Sequence, residues 1–116
     1  MVKKRPEVVN GKTVKVKTEC GNLYVTLNVD DGQLCEIRTE LGKAGQCTNG
    51  LLKALAISWS IMLQELEPAK VMKLFKRHYK GLSCGSIFYE KGKKYTSCVD
   101  KIMELAFEEL KEEASG

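Results

Sequence analysis

The sequence predicts an α+β domain in which a small antiparallel sheet, formed by an N-terminal hairpin, packs on about three helices. Two observations carry this prediction: apolar and polar residues alternate before position 40, and runs with helical spacing follow from position 47 onward. With 116 residues, 43% of them hydrophobic, the chain is long enough for a modest core. We therefore expect residues 1–116 to form a single domain, with its core at about residues 13–112 and frayed ends.

The first half of the chain contains the clearest strand patterns. Residues 13–17 alternate valine with polar side chains, which predicts a short strand at a sheet edge. Residues 23–29 place four apolar side chains on one face of a second strand. Asp31 and Gly32 supply a tight turn, so residues 33–39 should return as the hairpin partner.

The second half predicts three helices. The first, at about residues 47–65, is apolar on most sides, so we expect a buried central helix that packs on the hairpin and buries Trp59. Pro68 opens a second helix, which places His78 on its apolar stripe and ends near Gly81. A small hairpin at residues 87–96 precedes the third helix, which Ser97 caps together with Asp100. The edge strand and the apolar first helix need cover, so we also expect a homodimer.

Charge and hydropathy limit the location and the class of the protein. The net charge of +4 is mild, but residues 70–94 contain eight basic residues and one acid. No run approaches the roughly 20 apolar residues of a membrane span, and the N-terminal residues lack the apolar segment of a secretory signal. We expect a cytoplasmic protein with reduced thiols and no membrane partner.

Four of the five cysteines stand where the backbone should turn or a helix should begin. Cys20 and Cys84 each precede a glycine, and this small residue lets backbone N–H groups turn toward a thiolate. Cys47 and Cys98 each start a helical pattern, where the helix dipole should lower the pKa of a thiol and favour the thiolate that a metal requires. Cys35 lies within a strand-like run, which is typical of a buried core thiol.

Spacing alone leaves three interpretations of these thiols open. Long gaps replace the paired C-x-x-C spacing of most zinc sites, so ordinary buried thiols compete with a four-cysteine metal site. A thiol redox protein that uses Cys47 or Cys98 has suitable electrostatics but no resolving partner nearby in the sequence. Disulfides are disfavoured because nothing in the sequence predicts secretion.

Two regions have features of phosphate-binding sites. The first is a glycine-containing loop with the helix start that follows it: Gly42, Lys43, Ala44, Gly45, Gln46, Thr48 and Asn49. Backbone N–H groups and one cation suit an anion there, although an ordinary turn lysine is the simpler interpretation. The second is a basic helix face: Lys70, Lys73, Arg77 and Lys80. Aromatic residues interleave with this stretch, as in nucleic-acid interfaces, although a solvated helix face is the simpler interpretation.

Four motifs follow one another in order along the chain. They are Thr18-Glu19-Cys20-Gly21-Asn22-Leu23-Tyr24-Val25-Thr26-Leu27-Asn28, Gly42-Lys43-Ala44-Gly45-Gln46-Cys47, Gly81-Leu82-Ser83-Cys84 and Thr96-Ser97-Cys98-Val99-Asp100. The series resembles the TSCPD domain, which is named for its Thr-Ser-Cys-Pro-Asp motif and is best known near the C-terminus of adenosylcobalamin-dependent (class II) ribonucleotide reductases. The resemblance spans roughly residues 18–110. Val99 replaces the proline of the name motif, and Gln46 replaces a frequent glycine.

The resemblance implies a stand-alone accessory module of deoxynucleotide metabolism. Cys20, Cys47, Cys84 and Cys98 match recurring cysteines of the family, which implies one structural metal site with zinc or, alternatively, an iron–sulfur cluster. The module would bind a nucleotide or another phosphate, or dock onto a ribonucleotide reductase. The catalytic barrel of the reductase cannot fit in this chain, so we expect no enzyme activity on its own. The alternatives are a module that sequesters nucleotides or nucleic acid on the basic stretch at residues 70–94, and a thiol redox protein.

Overall fold

A computed structural model describes residues 6–42, 46–85 and 87–110 of the chain. It contains a three-stranded antiparallel sheet, a separate two-stranded hairpin and three helices, which confirms the α+β prediction. The elements, in chain order, are β1 (Asn10–Thr18), β2 (Gly21–Asp30), β3 (Gln33–Gly42), α1 (Gln46–Glu65), α2 (Pro68–His78), β4 (Phe88–Glu90), β5 (Lys93–Tyr95) and α3 (Cys98–Glu109).

The three-stranded sheet has the order β1-β2-β3, so β1 is the edge strand that the sequence predicts. Asp31 and Gly32 join β2 to β3 with φ values of 56° and 77°. Two consecutive positive φ angles are typical of the tight turn whose twist matches that of the strands. The register between β2 and β3 shifts between Asn28 and Val29, which places Cys35 at a β-bulge. Cys35 is fully buried, as expected of a core thiol.

The first helix is not the buried central helix that the sequence predicts. Three large apolar side chains of α1 are exposed, with Leu51, Ile57 and Ile61 at 68%, 61% and 55% of their full accessible area. The helix packs along β3, the outermost strand on its side of the sheet, and it does not lie across the apolar face of the hairpin. Within the described residues, no helix has both the length and the apolar character needed to cross a membrane.

Polar side chains of α1 bind the backbone groups along the open edge of β3. The Ser60 hydroxyl accepts a hydrogen bond from the N–H of Ile37 at 2.9 Å and donates one to its carbonyl at 3.1 Å. Asn49 accepts a hydrogen bond from the N–H of Leu41 at 2.9 Å. Gln64 donates one to the carbonyl of Cys35, in the β-bulge, at 3.0 Å. These bonds block an edge that is otherwise free to pair with another strand.

The core lies on the face of the sheet that carries the apolar side chains of β2. Apolar side chains of β2 such as Leu23 and Val25 are fully buried there, and α3 contacts both β2 and β3. Trp59 is also fully buried, as predicted, and its ring lies 6.3 Å from that of Phe75 in an edge-to-face contact. His78 is exposed, so its predicted place on the apolar stripe of α2 is wrong.

Candidate metal centre

Cys98 is the first residue of α3, and the start of that helix is capped as the sequence predicts. The Ser97 hydroxyl accepts the N–H of Asp100 at 3.0 Å, which satisfies one of the free donors of the first turn. The Cys98 side chain is half-buried and lies close to the Thr18 hydroxyl and the Cys20 thiol. A helix start therefore meets the turn between β1 and β2.

Cys20 lies in that two-residue turn. The Thr18 hydroxyl accepts the N–H of Cys20 at 3.0 Å and donates to the carbonyl of Gly21 at 2.9 Å. Gly21 has a φ of 125°, a conformation that side chains with a Cβ rarely adopt. The glycine after Cys20 therefore shapes the turn, and the Thr18 hydroxyl holds its backbone in place.

Cys84 lies in the loop between α2 and β4, which the Thr96–Asp100 motif holds in place. The N–H of Cys84 donates to the carbonyl of Thr96 at 3.2 Å. In return, the Thr96 hydroxyl donates to the carbonyl of Leu82 at 3.1 Å, and the Ser97 hydroxyl donates to the same carbonyl. The threonine and serine of the motif thus tie the loop to the helix start that carries Cys98.

Asp100 completes this connection at the N-terminal end of the loop. Its carboxylate accepts the Gly81 N–H at 2.8 Å, the Lys80 ammonium at 2.6 Å and the Thr96 N–H at 3.1 Å. Burial by itself would raise the pKa of Asp100, but these hydrogen bonds outweigh burial and hold the pKa below its ordinary value. Asp100 is therefore a buried, charged clamp between the end of α2 and the start of α3.

Three of the predicted ligands line one cavity of about 360 Å³: Cys20, Cys84 and Cys98. The remaining wall is mostly apolar and comes from β3, α1 and the start of α3: Leu41, Thr48, Leu51, Leu52, Leu55, Ser97 and Val99. A thiol-lined cavity with apolar walls is typical of a closed, sulfur-ligated metal site.

The thiols affect one another electrostatically. Burial raises the pKa of Cys98, the nearby Thr18 hydroxyl opposes this rise, and the charges of Cys20 and Cys84 raise the pKa further. The helix dipole at the start of α3 predicts a lowered pKa for this thiol, so burial among other thiols outweighs the dipole here. Several thiolates repel one another in this setting unless a cation neutralises them, which is what a metal ion does.

Cys47 is the second residue of α1, and its side chain is exposed. It is not among the cavity-lining residues, although Thr48 beside it and Leu51 one turn further along do line the cavity. Within the described ranges, no group of three or more His, Cys, Asp or Glu side chains stands close enough together to hold a metal ion. The structure therefore brings three predicted ligands to one cavity and places the fourth on an adjoining helix turn.

The predicted phosphate loop lies mostly outside the described residues. That holds for residues 43–45 and for the side chain of Gln46. Gly42 ends β3, and Thr48 faces the cysteine cavity. Asn49 uses its side chain to hold α1 on β3, as described above.

The predicted basic face is only partly available to a ligand. Lys70, Lys73 and Arg77 are exposed on α2. Lys80 instead binds the Asp100 carboxylate at 2.6 Å and belongs to the clamp. Lys76 adds a further exposed cation to this surface, with its ammonium 6.0 Å from the centre of the Phe107 ring.

An open groove, which was not predicted from the sequence, lies between α1 and the outer face of the sheet. This groove has a volume of about 560 Å³, and Tyr24 and Arg38 are among its lining residues. The signal was present in the alternation of β2, because a strand with one apolar face presents its other residues on the opposite face. The strand prediction used only the apolar residues of β2 and not those on the opposite face.

Comparison with family models matches residues 1–107 of the chain to the TSCPD domain. Since the match covers nearly all of the 116 residues, the chain belongs to the TSCPD domain family, as its motifs predict. The family links it to domains related to ribonucleotide reductase, in which the TSCPD domain is an accessory domain and not a catalytic one. Comparison with curated proteins and with solved structures gave no match.

Proposed function

We propose that this chain is a non-catalytic accessory module of deoxynucleotide metabolism, built around a structural zinc site with four thiolate ligands. One observation carries the proposal: Cys20, Cys84 and Cys98 reach the same cavity from a hairpin turn, a loop and a helix start. Zinc takes four cysteine thiolates in a tetrahedral site that leaves no position for water. Cys47 is the fourth ligand in this proposal because Thr48 and Leu51 beside it line the cavity.

A metal bound at this cavity would connect four chain segments that lie at the ends of helices and strands. The turn with Cys20, the loop with Cys84 and the starts of α1 and α3 all lie at the ends of regular elements. A metal that binds only the folded chain adds its binding free energy to the stability of the fold. The expected role of zinc is therefore to fix one end of the domain as a rigid surface.

An iron–sulfur cluster would use the same four thiolates. Visible absorbance of the purified protein distinguishes the two, because zinc–thiolate sites are colourless. A thiol redox function is less well supported. The raised pKa of Cys98 is the opposite of what a nucleophilic cysteine requires.

The metal part of the proposal is tested by elemental analysis of protein purified without chelator. Wild type and Cys35→Ala should each contain one zinc per chain, while Cys84→Ser and Cys98→Ser should lose most of it. Cys35 is the matched control because it is a buried thiol in the bulge of β3 and is not a cavity-lining residue. Metal-free wild type, or full zinc occupancy in Cys98→Ser, would contradict the proposal.

The accessory part predicts binding to a nucleotide or to a reductase. Family membership supports this expectation, because the family is linked to ribonucleotide reduction. Calorimetric titration with nucleoside di- and triphosphates, with a short DNA duplex and with a class II reductase tests it at low salt. Lys43→Ala reports whether the loop before α1 contributes. No heat with any of these partners would refute the accessory role and leave the metal site standing.

A second candidate is phosphate binding by α2. The exposed cations Lys70, Lys73 and Arg77 follow one another at helical spacing, so they lie on one face. Binding of nucleic acid to this face should weaken steeply with salt. Charge reversal in Lys73→Glu/Arg77→Glu should abolish binding if α2 carries it and leave binding intact if another site does.

A further inference from the structure

The outer face of the three-stranded sheet is exposed and has an aromatic residue at its centre. Tyr24 lies on β2, and its direct partner on β1 is Lys15. Arg38 on β3 is the partner of Thr26, two residues along from Tyr24, so it lies diagonal to the tyrosine on the same face. One aromatic ring therefore stands between cations from both neighbouring strands.

Helix α1 turns one side of this face into a groove. The floor comes from the sheet and includes Tyr24, Thr26 and Arg38, and the wall comes from α1 and includes Lys53, Ile57 and Ile61. Its volume of about 560 Å³ lies in the range of small-molecule sites. The lining combines an aromatic ring, aliphatic side chains and cations.

The charge balance of the groove allows it to accept an anion. Glu40 is paired with Lys53 at 2.8 Å and with Asn49 at 3.0 Å, and Glu36 accepts a hydrogen bond of 2.6 Å from the Asn28 amide. Both lining carboxylates thus have protein partners. Arg38 in the groove and Lys15, which lies beside Tyr24 on β1 next to the groove, form no ion pair with any described residue and are exposed.

We propose that this groove binds a nucleoside phosphate, with the base stacked on Tyr24 and the phosphate held by Lys15 and Arg38. Aromatic rings bind bases of any sequence through their π-faces, and nearby cations bind the phosphates. The inference rests on the nucleotide-binding part of the proposed function and moves that binding from the loop before α1 to the sheet face. It does not depend on the metal site.

Calorimetric titration of the full chain with ATP and with adenosine tests the groove. Tyr24→Ala should weaken ATP binding about tenfold or more, and Tyr24→Phe, which keeps the ring, should stay within about twofold of wild type. Arg38→Gln should weaken ATP binding without changing adenosine binding. Tyr89→Ala is the matched control, because Tyr89 is 68% exposed on β4 and is not a groove residue.

A single-stranded oligodeoxyadenylate provides the second arm of the experiment and separates a free nucleotide from a nucleotide within a strand. The ligand that binds more tightly and loses affinity in Tyr24→Ala identifies the source. ATP and strand binding that is unchanged in Tyr24→Ala would overturn the proposal, as would the absence of binding to both. Binding that is unchanged in Tyr24→Ala but lost in Lys43→Ala would refute the groove and retain nucleotide binding, so the two failures are distinguishable.

Discussion

The N–H of Gly81 donates to the carboxylate of Asp100 at 2.8 Å, and this bond connects the end of α2 to the first turn of α3. The same carboxylate oxygen binds Lys80 at 2.6 Å. The loop that follows Gly81 carries Cys84, while Cys98 lies two residues before Asp100. The aspartate of the family motif therefore positions one cysteine-bearing segment against another.

Asp100→Asn should lower the free energy of unfolding by about 2 kcal/mol, because it removes a buried charge from its paired lysine and its N–H donors. The loss is measured by urea denaturation. Asp31→Asn is the matched control, since Asp31 lies in an exposed turn at positive φ that asparagine also adopts. The control should change stability by less than about 0.5 kcal/mol. Equal losses in the two variants would refute the clamp.

Ser60→Ala should destabilise the protein by about 1–3 kcal/mol, because it leaves the buried N–H and carbonyl of Ile37 without a partner. The Ile37 amide should also exchange with solvent faster, which hydrogen-exchange NMR measures. Ser58→Ala on the same helix is the control, since the Ser58 hydroxyl is exposed and bonds only within the helix. A Ser60→Ala variant as stable as Ser58→Ala would contradict the role of α1 in closing the sheet edge.

Glu104→Gln should flatten the dependence of stability on acidic pH. Burial by itself would raise the pKa of Glu104, but hydrogen bonds from Lys93, Tyr95 and Lys101 outweigh it and lower the pKa from 4.5 to about 2. Since this folded-state pKa is the lower one, the stabilisation is complete above about pH 4.5 and disappears as pH falls toward about 2.

Urea midpoints measured across this pH range test the role of Glu104. Wild type should lose stability on acidification more steeply than Glu104→Gln. Glu108→Gln, which changes an exposed carboxylate of the same helix, should follow the wild-type curve. Identical slopes for wild type and Glu104→Gln would show that this carboxylate does not stabilise the fold through its charge.

The expected homodimer would cover exposed apolar side chains of α1. Leu51 is the position to test, because it is 68% exposed and lies outside the groove that contains Tyr24; since it also lines the cysteine cavity, the zinc content of the variant is measured alongside its mass. Light scattering of the wild type should give twice the chain mass of 13.0 kDa, and Leu51→Glu should give the mass of one chain. Val8→Glu, at another exposed apolar residue, should remain dimeric. A wild-type monomer at all concentrations would refute the dimer.

The strands and turns were predictable because local patterns determine them. Alternation in β2 and the pair Asp31–Gly32 specify a hairpin without reference to the rest of the chain. The position of α1 was not predictable in this way. Its apolar residues suggested burial on all sides, whereas Ser60 and Gln64 fix it on the edge of β3 by hydrogen bonds that leave no periodic signal in the sequence.

The candidate site was predictable in its residues more than in its geometry. The glycines after Cys20 and Cys84 mark turns at positive φ, and Ser97 marks the helix start beside Cys98. Their convergence depends on long-range bonds such as that between Thr96 and the loop of Cys84, which no local pattern specifies. The lowered pKa expected of Cys98 fails for the same reason, since burial is a property of the folded chain.

X-ray absorption at the zinc edge tests the four-thiolate centre most directly. The zinc-loaded wild type should show four sulfur neighbours at about 2.3 Å, and Cys47→Ser should show three sulfurs and one lighter atom. Fewer than four sulfurs in the wild type, or a spectrum that Cys47→Ser leaves unchanged, would contradict the account.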